Sequence, residues 1–462
     1  MVKFARPLKV FFFVRYLLPA LLLIISNISL SRAEMLTYHD AVKNTLNNSA
    51  RIRVKIEEIN ISNATYRQNF AGLYPEITAN SRFEKYENLD KNNNQGIKSI
   101  SNEIIGGETN AWRSSMYLWG QYYLSHWYKK RFEVGYYEKL KDASYYDCDI
   151  ETKKLLLELT DAYSAAAEGK IKIGYAEKTL KLLQSILNLK ENAFAGGQTA
   201  YEDVLKAEAE IADTKRQISS LKKELNENLE RLRSYIGMDY SNELEFELLA
   251  SDSRMQIVSF TKLIENTPEY KARMVELEAL RLKEKADANN YLPDISLYGR
   301  YDYYGNDPDN LEGSMRDIRE TSYSAGILIS LPLFDGGVRN WERKKSIFEL
   351  RRQEETIKAV IEEKGRDIKT LYAGYVELSK SLEHYKKLYD RYSKILDITK
   401  MANGFGERSM IDIMEVEKDA LAVLRDLKIA QHAVAIYEKR LALETDYKQF
   451  ISEYYGNRAY KY

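Results

Sequence analysis

The segment SYSAGILISLPLFDGG, residues 322–337, carries the pattern that decides the fold. Apolar side chains occupy every second position of its first part, and mainly small or polar side chains fill the positions between them. The apolar set is Tyr323, Ala325, Ile327, Ile329, Leu331 and Leu333, and the small or polar set is Ser322, Ser324, Gly326 and Ser330. Alternation with period two is typical of a β-strand, because successive side chains point to opposite faces. We therefore predict a strand with one apolar face, followed by a strand-to-helix turn at Asp335-Gly336-Gly337.

Three further segments predict strands of the same kind. Residues 295–303 alternate clearly, and residues 75–86 and 112–124 alternate more weakly. The strands form two pairs, and polar linkers at residues 88–110 and 305–318 are predicted as exposed loops within the pairs. Each pair is entered through a proline, Pro75 or Pro293, which ends a segment of helical periodicity at residues 41–72 or 260–290. The two prolines therefore mark strand-entry turns.

The chain contains the same unit twice. Residues 48–51 (NSAR) align with residues 266–269 (NTPE), and residues 74–77 (YPEI) align with residues 292–295 (LPDI), both at an offset of 218. Further along, Gly120 aligns with Gly336, and the pair Gly197 and Asp203 aligns with Gly406 and Asp412. We predict a signal peptide at residues 1–33, a first repeat at 34–250, a second repeat at 251–445 and a C-terminal tail at 446–462.

A long helical stretch follows each strand pair. It continues for roughly 70 residues to a glycine-bearing turn, which at ~1.5 Å per residue corresponds to about 100 Å. The helix returning from the second turn has apolar residues at alternating spacings of three and four, the pattern of a coiled-coil seam. This seam comprises Ile413, Val416, Ala420, Val423, Leu427, Ala430, Val434, Tyr437 and Leu441, and the outgoing helix carries Leu382, Tyr385, Tyr389, Tyr392 and Leu396 at a similar spacing. In the first copy, Ile211, Ile218, Leu225 and Leu232 share one heptad position.

The amino terminus and the charge balance indicate export and exclude some partners. Four basic residues, an apolar run at residues 17–25 and the small-x-small site Ser31-Arg32-Ala33 are typical of a secretory signal peptide. With 69 basic and 69 acidic residues, no long-range field favours nucleic acid. The single cysteine, Cys148, has no internal partner for a disulfide and is predicted as a small buried side chain.

The four strands fit either a soluble sandwich or a lipid-facing barrel. Export without a later apolar helix favours the barrel, since only helices and closed barrels span membranes. The smallest membrane barrels have about eight strands, so four strands require oligomerisation, and three copies would supply twelve.

The order of these features resembles the TolC family of outer-membrane efflux and secretion channels, over essentially the whole mature chain. The resemblance rests on the helix followed by Leu/Tyr-Pro-x-Ile, on residues 331–337 (LPLFDGG), and on the two turns at residues 197–205 (GQTAYEDVL) and 406–415 (GERSMIDIME). It implies a mainly α protein whose duplicated coiled-coil helices form a periplasmic tunnel, and whose four strands contribute to a homotrimeric twelve-stranded barrel in outer-membrane lipid. A periplasmic adaptor and an inner-membrane transporter are the implied partners, for efflux of small molecules or type I secretion of proteins.

The resemblance also implies a gate at the hairpin turns. The matching positions are Arg408, Asp412 and Glu415 on the second hairpin and Glu202 and Asp203 on the first, and Gly197 and Gly406 mark the tips that dock the adaptor. An alternative is that the acidic residues simply complement helix N-termini. Two departures are visible. Asn403 stands where some members have a tyrosine, and Leu118-Trp119-Gly120-Gln121 replaces the Asp-Gly-Gly of the second copy.

Two other classes remain alternatives. A periplasmic adaptor would have one hairpin flanked by small β-domains, and a structural coiled-coil protein would have heptads without proline-bounded strands. The sequence shows no catalytic constellation, and neither a cofactor nor a metal is predicted. The four histidines, at positions 39, 126, 384 and 432, fit no zinc-ligand spacing, and we interpret them as surface or packing residues.

Overall fold

The computed structural model describes residues 35–87, 110–237, 244–249 and 260–455. The predicted signal peptide and almost all of the first predicted loop lie outside these ranges. The chain divides into a helical unit, made of Met1–Ile52, Thr152–Leu263 and Arg366–Tyr462, and a sheet unit, made of Arg53–Glu151 and Ile264–Gly365. Both sequence repeats contribute residues to both units.

The helices follow the order that the sequence predicts, in two copies. They are α1 (Tyr38–Asn48), α2 (Ala50–Ala71), α3 (Lys130–Ala195), α4 (Tyr201–Ile236), α5 (Phe260–Asn266), α6 (Pro268–Asn289), α7 (Leu311–Arg316), α8 (Val338–Gly404), α9 (Met410–Thr445) and α10 (Tyr447–Tyr455). The predicted long helices are confirmed as α3, with 66 residues, and α8, with 67 residues. No helix within the described ranges is both long enough and apolar enough to cross a bilayer.

The sheet unit contains four antiparallel strands in sequence order. They are β1 (Glu76–Glu87), β2 (Asn110–Tyr123), β3 (Asp294–Asp307) and β4 (Glu320–Ser330). The register places Leu118 opposite Tyr301 and Tyr301 opposite Tyr323, so the predicted apolar positions of neighbouring strands lie on one face. These side chains are exposed, as in Ile327 at 65% and Tyr323 at 83%. Within the described sheet β1 and β4 each have one unpaired edge.

Several sequence predictions need correction in the sheet unit. Strand β4 ends at Ser330 rather than at Leu333, because Pro332 has no N–H to donate to a ladder. The second predicted loop begins later, since β3 extends to Asp307, and it contains helix α7. The alignment of Gly120 with Gly336 is also wrong.

The two glycines differ because the two strand pairs leave the sheet differently. Gly120 lies inside β2 and pairs with Ile77 and Gly299. Gly336 lies in the turn before α8, with a positive φ of 67°. The first copy leaves its strand pair through a 3-10 helix at Leu124–Trp127, which needs no glycine.

The helical segments that precede the strand pairs are interrupted at equivalent positions. Each was predicted as continuous, but the first breaks at Ser49 and the second at Thr267, which has an extended backbone and caps α6 by accepting from the Tyr270 N–H. Pro268 follows at the first position of α6, where its missing N–H costs no helical hydrogen bond. The offset of 218 between the two breaks supports a true duplication.

The coiled-coil seams are confirmed in the helical unit. Ile211, Ile218, Leu225 and Leu232 are all buried on α4. Val434 and Leu441 on α9 form one cluster with Tyr375 on α8, and the predicted seam residues Leu382 and Tyr437 pack against it. Burial of these side chains, at about 25 cal/mol per Å² of apolar surface, stabilises helices of this length.

A second packed region of the helical unit surrounds the described amino-terminal residues. Met35–Leu36 pairs in parallel with Glu245–Phe246. The Tyr163 hydroxyl donates to the Leu36 carbonyl at 3.0 Å and to the Glu247 carbonyl at 3.1 Å. Most of the predicted C-terminal tail is helix α10, whose Phe450 and Ile451 are buried.

Candidate gate and docking residues at the hairpin turns

Both hairpin turns end their outgoing helix in the same way. The N–H of Gln198 donates to the Ala193 carbonyl at 2.8 Å, and the N–H of Glu407 donates to the Ala402 carbonyl at 3.0 Å. With the neighbouring bonds from Gly197 and Gly406, this is the Schellman arrangement, which requires a left-handed residue. Gly197 has φ of 72° and Gly406 has φ of 78°, and a Cβ at either position would meet no atom within 4 Å.

Asp412 forms a capping box at the second turn. The Ser409 hydroxyl accepts from the Asp412 N–H at 3.1 Å, and the Asp412 carboxylate accepts from the Ser409 N–H at 2.8 Å. These bonds satisfy N–H groups that have no partner inside helix α9. Hydrogen bonds from the Ser409 backbone and hydroxyl lower the pKa of the Asp412 carboxyl, so it is charged at neutral pH. Asp412 therefore has the helix-start role that the sequence allowed, and its charge remains at the turn.

The first turn has a different set of contacts. Asp203 accepts from the Thr199 hydroxyl at 3.0 Å, while Ala200, at the cap position, has no side-chain cap. Lys206 lies 2.7 Å from Glu202 and 4.0 Å from Asp203. The acidic pair of the first hairpin is thus partly neutralised by a lysine one turn later.

Arg408 and Glu415 are exposed on the second hairpin. The Arg408 guanidinium makes no ion pair in the described part of this single chain. Its positive charge does contribute to the lowered pKa of Asp412. The Arg408 backbone carbonyl accepts from the Asn403 side chain at 2.7 Å, so Asn403 stabilises the turn itself.

The two hairpins contact each other close to the turns. Ile411 and Met414 of α9 pack against a buried cluster of Leu183 and Ile186 on α3 and Ile211 on α4. Lys418 and Glu210 form an ion pair at 3.4 Å across the same contact. The five predicted gate residues therefore lie on two hairpins that pack together within one chain.

Phe405 is a feature of the second turn that the sequence analysis missed. It lies between Gly404 and Gly406, and its side chain is 84% exposed. The first turn has Gly196 at the corresponding place. The sequence signal for this feature is a large aromatic residue flanked by two glycines.

The strand-entry turns lie where predicted, directly before β1 and β3. The Pro293 carbonyl accepts from the Tyr128 hydroxyl at 2.5 Å. Asp294, the next residue, is paired with Lys129 at 2.8 Å. In the first copy the His126 ring contacts the Gly72 carbonyl at 2.8 Å, three residues before Pro75. Each entry is thus tied to the segment that follows β2.

The turn before α8 is stabilised by an ion pair. Arg339 bonds the Asp335 carboxylate at 2.5 Å and the Pro332 carbonyl at 2.9 Å. The Arg339 guanidinium and the neighbouring backbone N–H groups lower the pKa of Asp335 to about 2. The turn prediction for residues 335–337 is confirmed.

The sequence profile of the outer membrane efflux protein family matches residues 41–238 and 260–443, which is most of the chain. The chain belongs to this family. Membership identifies it as an outer-membrane channel protein, with its helical part in the periplasm. It favours the channel over the adaptor and the structural coiled-coil protein. No curated protein sequence matches the chain significantly.

Solved structures of outer-membrane channels share the fold of this family member. CusC aligns with a TM-score of 0.74 at 15% identity, covering 90% of this chain and 93% of CusC. VceC from Vibrio cholerae aligns with a TM-score of 0.73 at 15% identity, covering 88% and 95%. The Campylobacter jejuni CmeC channel aligns with a TM-score of 0.72 at 14% identity, covering 91% and 89%. These similarities confirm the predicted mainly α fold with strands that contribute to a β-barrel.

Proposed function

We propose that three copies of this chain form a passive duct across the outer membrane, with no catalytic activity of its own. The observation that carries the proposal is the sheet: four strands with an exposed apolar face and two unpaired edges, in a member of an efflux channel family. Unpaired N–H and C=O groups are too costly to expose to hydrocarbon, so the edges of neighbouring copies must pair. Three copies close a barrel of twelve strands, above the smallest known size of about eight.

Assembly is the first test of this proposal. We expect mature protein to fractionate with outer membranes, to resist extraction by high salt, and to be released by mild detergent as a trimer. Light scattering with a correction for bound detergent measures the mass. A stable monomer, a two-fold dimer or recovery in the soluble periplasm would contradict the proposed barrel.

The proposed partners are a periplasmic adaptor and an inner-membrane transporter, which load the duct at its hairpin turns. Gly197 and Gly406 support this role because both turns leave open space around the glycine. The cargo class is either small molecules or secreted proteins. In either case the duct supplies a path, and the transporter supplies the energy.

We propose that the acidic residues of the two turns form the gate when three chains meet around one axis. Asp203 and Asp412 would then give two rings of three carboxylates, with Glu202 and Glu415 nearby. Like charges this close repel each other unless a cation lies among them. Arg408, exposed and without an ion pair in the described part of one chain, is the candidate to bridge to a neighbouring hairpin and keep the turns together.

Replacing Arg408 with serine is expected to loosen the closed state and to raise single-channel conductance severalfold in planar bilayers. Replacing both Asp203 and Asp412 with alanine is expected to weaken cation selectivity and block by multivalent cations, because acidic rings favour cations in a pore. Unchanged conductance in the first variant would contradict the bridging role of Arg408.

The capping box supplies a matched pair of controls for Asp412. Asp412→Asn removes the charge and keeps a hydrogen-bond acceptor for the cap, whereas Ser409→Ala removes the cap hydroxyl and keeps the charge. Loss of a cap costs about 1 kcal/mol of stability. If Asp412 belongs to the gate, Asp412→Asn alters selectivity and Ser409→Ala does not. If Ser409→Ala alters selectivity and Asp412→Asn does not, Asp412 acts only as a helix-start residue.

A further inference from the structure

The polar face of the four-stranded sheet carries aromatic side chains that the channel function does not explain. In the register, Tyr117 lies opposite Asp302 and Trp119 lies opposite Arg300, all on the face away from the apolar positions. Along β2 and β3 the side chains of this face are half-buried or buried, whereas the apolar face includes the exposed side chains of Met116, Leu118, Leu297, Tyr301 and Tyr303. In a closed barrel with lipid on the apolar side, this polar face lines the lumen.

Two of these rings are stacked. Trp119 and Tyr298 have ring centroids 5.4 Å apart and planes inclined by 15°. Tyr298 leans over Gly326 of β4, where a Cβ would lie 2.7 Å from the tyrosine hydroxyl. The missing side chain at position 326 therefore makes room for the ring to lie against the strand, an arrangement that also stabilises the sheet.

The third ring, that of Tyr117, lies beneath the guanidinium of Arg300, whose charge is balanced by a neighbouring carboxylate. The Arg300 guanidinium is 4.0 Å from the centroid of Tyr117, and its Nε donates to the Asp302 carboxylate at 2.8 Å. Because Asp302 neutralises the guanidinium, the group of Tyr117, Trp119 and Tyr298 forms an aromatic patch without net charge. We refer to these three residues as the lumenal aromatic patch.

We propose that the lumenal aromatic patch binds planar aromatic cargo during its passage, and that the trimer carries three such sites. This inference rests on the proposed trimeric duct, since only a closed barrel turns the polar face inward. Half-buried rings can stack on a planar ligand, and stacking of this kind contributes about 1–3 kcal/mol. Because the patch is neutral, ring shape rather than charge selects the ligand.

Proflavine, a planar aromatic cation, is the probe for this site. Wild-type trimer in zwitterionic lipid nanodiscs is titrated against proflavine and followed by fluorescence anisotropy, with empty nanodiscs as the blank. We expect saturable binding that 2-naphthalenesulfonate, an aromatic anion, displaces and that tetraethylammonium does not. Trp119→Leu and Tyr298→Leu are each expected to weaken binding about tenfold, while Trp119→Phe retains most of it.

Tyr301→Leu is the matched control, because Tyr301 lies on the apolar face of the same strand as Tyr298. It is expected to leave proflavine affinity unchanged. Equal affinity in wild type, Trp119→Leu and Tyr298→Leu trimers would overturn the inference and leave the duct in place. Light scattering on the same samples distinguishes failure of the binding site from failure of the duct. A wild-type protein that forms no trimer would overturn the proposed duct and therefore also the proposed site.

Discussion

Replacing Gly406 with tryptophan is expected to reduce export by at least about tenfold, equivalent to 1.4 kcal/mol or more of lost docking energy. Gly406 has φ of 78°, a conformation that costs a residue with a Cβ roughly 1–2 kcal/mol. A Cβ there meets no atom within 4 Å, so the indole would project from the turn into the space that the proposed adaptor occupies. Export is measured as intracellular accumulation of efflux substrates in cells that carry only the variant gene.

Gly406→Asn is the control that separates backbone strain from bulk. Asparagine tolerates the left-handed conformation, so this variant is expected to export within about twofold of wild type. Both variants are expected to insert and to form trimers, because a Cβ at Gly406 would meet no described atom within 4 Å beyond its chain neighbours. Normal export by Gly406→Trp trimers would show that the second turn is not the docking site. A similar loss of export in Gly406→Asn and Gly406→Trp would point to the turn conformation instead.

Much of the fold could be predicted because its patterns are local. The period-two alternation around Ile327 and Ile329 and the three-four spacing from Ile413 to Leu441 both appear in the observed strand and helices. Each pattern reports which side chains share a face, and burial then follows from the element type. The outgoing seam is less buried than the returning one in a single chain, since Tyr385 and Tyr389 are only half-buried.

Features that depend on tertiary contacts could not be predicted. Gly120 and Gly336 look equivalent in sequence, but β2 continues three residues past Gly120 and leaves the sheet without a glycine turn. The capping box at the candidate gate is a different case. Ser409 and Asp412 have the Ser-x-x-Asp spacing of a local helix-start signal, so this contact could have been predicted from the sequence.

The burial of His432 could not be predicted from composition or from the spacing of the histidines. It fits no metal-ligand spacing, and the sequence left open whether it is a surface or a packing residue. In the structure it is 1% exposed on α9, with its ring 6.4 Å from that of Tyr163. Neither ring nitrogen has a hydrogen-bond partner among the described residues. Burial lowers the pKa of His432 to about 4, so the imidazole is neutral at physiological pH.

Acid is therefore expected to destabilise the helical unit through His432. An unfolded histidine has a pKa of about 6.5, so between pH 6.5 and pH 4 the unfolded chain binds more protons than the folded one. The stability contributed by neutral His432 is fully present above pH 6.5 and is lost as the pH decreases through this window. The shift of roughly 2.5 pH units corresponds to a loss of about 3 kcal/mol by pH 4.

Thermal melting of the detergent-solubilised protein at pH 7 and at pH 4.5 measures this loss. His432→Leu removes the group that must be protonated, so the difference between the two melting temperatures is expected to shrink relative to wild type. His384→Leu is the matched control, because His384 is exposed on α8 and its replacement leaves a buried His432 in place. Carboxyl groups that titrate in the same range affect all three proteins alike and cancel in the comparison. If the melting temperatures of wild type and His432→Leu fall by the same amount on acidification, His432 has no part in acid sensitivity.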